Sequence, residues 1–289
     1  MYISTNMYPF QRLGSAKAIV DCIKAGGFTA YDFSAECMNE IVGADDYLER
    51  AQRLRAYADE IGIVCNQAHA PFPVIKEGDE EYNQEVHKKI LRTLEISGIL
   101  GAKVCVVHPY NHYPLDKNVA LYNSYIETAK KSGVKIGVEN MWNWANGGPT
   151  SVKCACGHHD DFKAYMDALD KEVFVACVDI GHAELKGMDT SAEIMIETLG
   201  GYMQAMHLHD NYRAGGSLMG VPCDAHQLPF THGLDYEPII KALKKIGYQG
   251  DITMEADRWI MNMPVELIPS ACRMMADVAN YFKNRLEKE

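Results

Sequence analysis

The chain has 289 residues, of which 47% are hydrophobic, and a formal net charge of -11. A chain of this size and apolar content can bury one large core, so a single domain over residues 1–289 is expected. No stretch approaches about 18 consecutive apolar residues, and the first ten residues lack a basic flank, so we expect a soluble cytoplasmic protein without a membrane span. The negative charge repels phosphate backbones and disfavours nucleic acid as a partner.

Eight short apolar or β-branched segments recur along the chain. Each is followed by a polar turn and then by an amphipathic stretch, a pattern typical of repeated βα units around a parallel sheet. The predicted strands are residues 2–5, 29–33, 63–67, 103–108, 135–139, 174–179, 204–209 and 251–255. The predicted helices are residues 47–60, 80–100, 117–131, 161–169, 192–199, 236–245 and 264–285.

Single glycines precede several predicted strands, for example Gly62, Gly101 and Gly133, and suit left-handed helix C-caps. Eight such units without a Pro/Gly/Ser-rich linker predict one closed (β/α)8 barrel, an α/β fold with its functional residues on the βα loops. An open doubly wound sheet is the alternative, but the glycine-rich phosphate fingerprint of its nucleotide-binding version is missing. The one long connection, residues 211–233, is of a length that is usually functional or disordered.

Acidic and histidine side chains stand at or just after the C-terminal ends of the predicted strands. They are His69, His108, Glu139, Asp179, His182, His207, His209, Asp210 and Glu255. Taken singly, each residue could be a hydrogen-bonded histidine or a paired carboxylate. Their common position in the βα units favours a different interpretation, because it brings several carboxylates together at one mouth of the barrel. The negative charge of these buried carboxylates must be balanced, and a divalent cation supplies the positive charge. The pattern therefore predicts a metal site.

Two further segments carry metal-binding residue types. Asp224 and His226 form a D-x-H pair that can bind a metal, or else a surface turn. The segment 154–159 reads CACGHH, but its spacing does not match structural zinc sites, and His159 or Asp160 could cap the following helix. We therefore predict no separate zinc site there.

Trp142 and Trp144 follow Glu139 closely. Aromatic residues near a polar mouth either pack in the core or stack on the apolar face of a sugar. Both are therefore candidates for substrate binding.

Several segments resemble motifs of the xylose isomerase-like TIM barrel superfamily. They are 138–140 (VEN), 179–182 (DIGH), 207–211 (HLHDN) and Glu255. The resemblance extends over nearly the whole chain. Members of this superfamily include sugar and sugar-phosphate isomerases and epimerases, inositol-pathway enzymes and family-2 AP endonucleases.

The resemblance implies that Glu139, Asp179, His207 and Glu255 bind a divalent metal ion. Zinc or manganese fits a site with histidine best, with cobalt or magnesium as alternatives. The same resemblance implies that a further set of residues could bind a second metal ion. One of them, His182, could instead contact the substrate. That set is His69, His108, His182, Asp224 and His226. Related barrels often pair, which leaves a homo-oligomer and a monomer both open.

The sequence thus predicts a metal-dependent isomerase or epimerase of a sugar or sugar phosphate. Glu139 and Glu255 would remove and return a substrate proton through a metal-stabilised enediolate. His182 and His209 would hydrogen-bond substrate hydroxyls. The His-Asp pair of ring-opening xylose isomerases is not evident, which argues against aldose ring opening.

Two other functions remain open. The histidine-rich set also resembles that of a zinc-dependent AP endonuclease, because a zinc cluster suits phosphodiester hydrolysis. Against this, the segment His69-Ala-Pro-Phe and the loop 226–233 (HQLPFTHG) look like isomerase-type members, and the net charge is negative. The third alternative is a barrel that binds a metal or sugar only as a sensor.

Overall fold

Eight parallel strands form the centre of the protein in a computed structural model that describes residues 1–145, 147–211 and 224–288. In chain order, they are β1 Ile3–Thr5, β2 Ala30–Ser34, β3 Val64–His69, β4 Val104–Val106, β5 Lys135–Glu139, β6 Phe174–Asp179, β7 Met203–Leu208 and β8 Ile252–Met254. Their order around the sheet is β1-β8-β7-β6-β5-β4-β3-β2. A parallel bridge between Asn6 and Asp32, just beyond β1 and within β2, brings the two outer strands together. The predicted (β/α)8 barrel is confirmed.

Helices surround the strands as the sequence pattern requires. They are Ala16–Gly26, Asn39–Val42, Tyr47–Ile61, Glu80–Leu100, Leu115–Asn123, Ile126–Ser132, His159–Ala168, Ile180–Ala183, Ala192–Leu199, Tyr236–Lys245, Asp257–Met261 and Ile268–Glu287. Short 3-10 turns span Tyr8–Leu13, Gly200–Tyr202 and Val265–Leu267. Among the described residues, none of the helices has both the length and the apolar character needed to cross a membrane.

The helix predictions differ from the structure in two ways. The predicted helix 117–131 is two helices, which meet at Ser124 and Tyr125. The first helix, Ala16–Gly26, and the short helices Asn39–Val42, Ile180–Ala183 and Asp257–Met261 were not predicted. Single turns such as the last two are too short to show a 3.6-residue period.

The helix ends explain how the chain returns to each strand. Gly133 ends Ile126–Ser132 with φ 66°, and its backbone N–H donates to the carbonyls of Ala129 and Lys130. A residue with a β-carbon is strained in this left-handed conformation, so glycine is favoured immediately before β5. The prediction of left-handed glycine caps is confirmed here and at Gly62 and Gly101.

The barrel interior changes in character along its axis. Small apolar side chains fill part of it, namely Val104, Val106, Val175, Cys177 and Ala205. Toward the C-terminal ends of the strands the interior becomes polar, where Asp32, Gln67 and His207 are all buried. Buried polar groups require partners, so this end of the barrel is where chemistry is expected.

Candidate active site

Four strand ends bring the predicted principal ligands together. Glu139, Asp179, His207 and Glu255 come from β5 to β8, and each offers one ligand atom within 4.8 Å of the others. Nδ1 of His207 lies 3.2 Å from Oε1 of Glu139 and 3.3 Å from Oε2 of Glu255. It lies 3.8 Å from Oδ2 of Asp179. One imidazole nitrogen therefore faces three carboxylates inside the barrel.

The hydrogen bonding of this group fits a cation. Nδ1 of His207 is buried and makes no hydrogen bond of acceptable geometry, although carboxylate oxygens surround it. Oε2 of Glu139 is also buried without such a bond, with Nε2 of His108 3.1 Å away. Unsatisfied buried donors and acceptors are rare in folded proteins. A divalent ion among one nitrogen and three carboxylates would satisfy them, and this donor set suits zinc or manganese.

A second group lies beside the first. The ligand atoms of His182, His209, Asp224 and His226 also fall within 4.8 Å of one another. Oδ2 of Asp224 lies 3.0 Å from Nε2 of His182 and 2.8 Å from Nε2 of His226. The D-x-H pair noted in the sequence therefore reaches the mouth, and together with His182 it makes up three of the five residues predicted as candidates for a second metal.

The other two of those five, His69 and His108, do not join that group. His108 faces Glu139, and Nδ1 of His69 lies 2.7 Å from Oδ2 of Asp32. Asp32 also accepts a hydrogen bond from the amide of Gln67, whose Nε2 is 2.9 Å from Nε2 of His207. The sequence reasoning missed Asp32, although a lone aspartate within the apolar strand β2 was a usable signal.

His209 has a different position from the one expected of a substrate ligand. Its Nε2 lies 3.0 Å from Oδ1 of Asp179, its ring stacks on His226 at 4.1 Å, and it is fully buried. A β-carbon on Gly181 would lie 1.9 Å from Cε1 of His209, so only glycine leaves room for this ring. The geometry thus favours a role for His209 in orienting Asp179, while its predicted contact with a substrate hydroxyl stays a prediction.

The pKa shifts show how strongly these groups interact. Burial alone would raise the pKa of Glu139, but the charges of His207 and His108 outweigh it and hold the pKa well below its usual range. Burial alone would lower the pKa of His182, but Asp179 and Asp224 raise it to about 10. Glu139 is therefore ionised at neutral pH, and His182 keeps a proton unless a cation takes its place.

A cavity of about 420 Å³ opens onto the two groups. Of the four principal residues, Glu139 and Glu255 line it, whereas Asp179 and His207 do not. Trp142 also lines the cavity, and its contact with substrate stays a prediction.

The other tryptophan lies elsewhere. Trp144 is on the hairpin formed by Asn143–Ala145 and Gly148–Thr150, is 45% exposed, and is absent from the described wall of the cavity. The prediction that it contacts substrate therefore has no support from this geometry. Two aromatic residues that the sequence reasoning did not select, Tyr8 and Phe72, line the cavity.

The segment 154–159 contributes no residue to the described wall of the cavity. The N-cap of helix His159–Ala168 is His158, whose Nδ1 accepts from the backbone N–H of Asp160, rather than His159 or Asp160 as expected. His158, His159 and Asp160 cluster closely enough to hold an ion, but Cys154 and Cys156 are not part of that group.

The fold and the mouth define a class of protein, a parallel barrel with carboxylates and histidines gathered at the C-terminal ends of its strands. Residues 20–278 match the family model described as xylose isomerase-like TIM barrel. The chain belongs to this family, and the resemblance found in the sequence motifs is confirmed.

Two relatives from the sequence comparison are uncharacterized proteins. MJ1311 of Methanocaldococcus jannaschii is 26% identical over 209 residues, which are 68% of this chain and 64% of that protein. The chain thus covers slightly less than two thirds of the length of that relative. The protein y4fM of Sinorhizobium fredii is 24% identical over 275 residues, which are 84% of this chain and 82% of that protein.

Solved structures share the fold along the whole chain. A D-tagatose 3-epimerase-like protein superposes with a TM-score of 0.73 at 20% identity, covering 99% of this chain and 98% of that one. The IOLI protein with a bound zinc atom superposes with a TM-score of 0.73 at 16% identity, covering 98% of this chain and 99% of that one. A D-psicose 3-epimerase in the presence of D-fructose superposes with a TM-score of 0.70 at 14% identity, covering 100% of this chain and 100% of that one.

Proposed function

We propose that the protein is a divalent-metal-dependent isomerase or epimerase of a small carbohydrate. The observation that carries this proposal is that Glu139 and Glu255 line the cavity, whereas Asp179 and His207 are buried and do not line it. Two carboxylates that a bound substrate can reach, next to a group able to hold a cation, suit the transfer of a proton at carbon. The names of the similar epimerase structures support the same chemistry.

Glu139, Asp179, His207 and Glu255 would hold the ion, which would supply positive charge to stabilise the negative charge that develops on the substrate oxygens. Zinc or manganese suits these donors best, with cobalt or magnesium as alternatives. The similar structure with bound zinc supports a divalent metal in general.

Glu139 and Glu255 would act as the acid–base pair. Their strands, β5 and β8, are separated by β6 and β7 in the barrel, so the two carboxylates approach the cavity from different strands. One of the two, ionised, would accept the proton from the carbon next to the carbonyl, and the other, entering the step as the protonated carboxylic acid, would donate its proton to the product. Both are held in place, because Nε2 of His108 lies 3.1 Å from Glu139 and Nδ2 of Asn6 donates to Glu255 at 3.4 Å.

His182 completes the inner wall of the cavity. Its Nδ1 lies 2.8 Å from the carbonyl oxygen of Asn140, which directs Nε2 toward Asp224. In this position His182 would either bind a second ion with Asp224 and His226 or hydrogen-bond a substrate hydroxyl.

The second candidate function is zinc-dependent hydrolysis of a phosphodiester, as in AP endonucleases. The observation that favours it is the group of His182, Asp224 and His226 beside the first group, since two adjacent ions can activate water and stabilise a leaving oxygen. The net charge of -11 argues against a polyanionic substrate.

The test is deuterium uptake from D₂O into the C–H positions of D-fructose, D-tagatose and D-psicose, followed by NMR on protein reconstituted with zinc or manganese. We expect uptake at a carbon next to the carbonyl that depends on protein and metal. If none of the sugars exchanges and the same protein incises a duplex that contains an abasic site, the isomerase proposal is wrong and the nuclease function replaces it.

A further inference from the structure

We propose that Cys22 and Cys272 are a modification site, at which a reversible disulfide joins the first helix of the barrel to the last. The two cysteines lie on Ala16–Gly26 and Ile268–Glu287, and 250 positions separate them in the sequence. The last helix packs against the first helix and against β1 and β8, the strands that pair where the barrel closes. Neither cysteine belongs to the groups at the barrel mouth, so this inference is independent of the proposed function.

The two helices approach each other closely at the cysteines. Sγ of Cys272 lies 3.7 Å from the backbone carbonyl oxygen of Cys22. Gly26 follows Cys22 by one helical turn on the same face, and a β-carbon there would lie 2.5 Å from Sγ and 3.3 Å from Cβ of Cys272. Glycine thus leaves room for the thiol of Cys272 in the turn that carries Cys22. With the backbones this close, we expect rotation of the two side chains to bring the sulfurs into bonding distance.

The two thiols differ in exposure and in acidity. Cys22 is half-buried, so a small reagent can reach it, whereas Cys272 is fully buried. A hydrogen bond from the thiol of Cys272 lowers the pKa of Cys22, and the same interaction raises the pKa of Cys272. Burial instead raises the pKa of Cys37, Cys105 and Cys177 to about 12. Because the thiolate is the nucleophile, Cys22 should react before these other cysteines.

The reaction is an exchange with a small disulfide, which serves as the oxidant. The thiolate of Cys22 attacks one sulfur of that disulfide, which forms a mixed disulfide and releases one small thiolate. The negative charge on Cys22 is then gone, so Cys272 gives its proton to solvent more readily. Its thiolate attacks the sulfur of Cys22 and displaces the second small thiolate. Two protein thiols are thereby oxidised by two electrons, the small disulfide is reduced to two thiols, and an excess of a dithiol reverses the reaction.

The disulfide should stabilise the fold against unfolding. It closes a loop of about 250 residues, and a cross-link over so long a loop removes much of the conformational entropy of the unfolded chain. It also ties the helix that covers the closing strands to the first helix. We therefore expect the melting temperature of the oxidised protein to exceed that of the reduced protein by about 5–10 °C.

The experiment treats the full chain with oxidised glutathione or with dithiothreitol and maps its disulfides by mass spectrometry of non-reduced peptides. We expect a link between the peptides that contain Cys22 and Cys272, a loss of two hydrogen atoms from the intact mass, and the higher melting temperature. Oxidised wild-type protein that retains all nine thiols, or that links other cysteines instead, overturns the inference.

Three variants separate this pair from the remaining cysteines. Cys272→Ser should stop at the mixed disulfide of Cys22 with glutathione, whereas Cys22→Ser should form neither product at the buried Cys272. Both should lose the rise in melting temperature. The matched control is Cys37→Ser, since Cys37 is also half-buried but bonds the carbonyl of Ser34, and it should keep the link and the rise. An equal rise in all three variants contradicts the assignment.

Discussion

Nδ1 of His207 lies 3.2 Å from Oε1 of Glu139, inside the barrel and without a hydrogen bond of acceptable geometry. The nitrogen faces a group of carboxylates rather than any single one, since Glu255 lies at 3.3 Å and Asp179 at 3.8 Å. This arrangement is what a bound cation would require of its ligands. It makes the role of each carboxylate testable.

Replacing Glu139 or Glu255 by glutamine should abolish most of the deuterium uptake into substrate. The amide keeps the size of the side chain but cannot accept the proton, so we expect a loss of about 10²- to 10⁴-fold in kcat. The measurement is uptake by NMR, with circular dichroism to show that the fold persists and metal analysis to separate lost chemistry from a lost ion. Wild-type uptake in both variants would remove the two-carboxylate mechanism.

Removal of metal should lower both activity and stability. An ion that binds only the folded state at a concentration of 100 Kd stabilises it by about 2.7 kcal/mol, so a strong chelator should lower the melting temperature and added zinc or manganese should restore it. Identical melting curves with and without chelator, measured on protein shown to be metal-free and metal-loaded, would contradict the metal site.

The number of ions should depend on His226. We expect two zinc ions per wild-type chain and one in His226→Ala, because the substitution removes a residue only from the group with His182 and Asp224. Elemental analysis after dialysis gives the count. A single ion in both proteins would show that the second group does not bind metal under these conditions.

Metal affinity should rise with pH across the neutral range. The raised pKa of His182, about 10, means that its metal-free form holds a proton throughout that range and that an ion bound there must displace it. Below this pKa, each pH unit should strengthen apparent binding to the second group by up to about tenfold for each displaced proton. Titration calorimetry in two buffers of different ionisation enthalpy measures the protons released, and affinity that falls from about pH 6 to 8 would contradict this account.

Substitution of Gly181 by alanine should displace the ring of His209. The new β-carbon would lie 1.9 Å from Cε1 of that ring, so the imidazole must move away from Asp179. We expect a loss of about 1–3 kcal/mol in the free energy of unfolding and weaker metal binding.

The matched control for that substitution is Gly201→Ala, where nothing lies within 4 Å of the added carbon. It should change the free energy of unfolding by less than about 1 kcal/mol, because a substitution at an exposed site has an effect no larger than this. Denaturant unfolding measures both variants. Equal stability and equal metal affinity for the two would show that the position of His209 does not depend on Gly181.

Local patterns were sufficient to predict the barrel and the residues at its mouth. Apolar runs of strand length, glycine caps such as Gly133 and the position of Glu139 at the end of its own βα unit are all properties of short segments. Parallel strands place their C-terminal ends at the same side of a barrel. Polar residues at the same position of successive βα units therefore lie near one another in the fold. For this reason the polar residues at the mouth could be anticipated, whereas the choice of Glu139, Asp179, His207 and Glu255 among them as the metal ligands came from the family resemblance.

The direction of each remaining side chain depended on neighbours far away in the sequence. His209 turns to Asp179 because Gly181 leaves room for its ring, and Asp32 pairs with His69 across adjacent strands. Trp142 reaches the cavity while Trp144 lies on an exposed hairpin, although only one residue separates them. Local sequence determined which residues stand at the mouth of the barrel. Only tertiary packing decided which partner each side chain contacts, because the space and the charge around it are supplied by other segments of the chain.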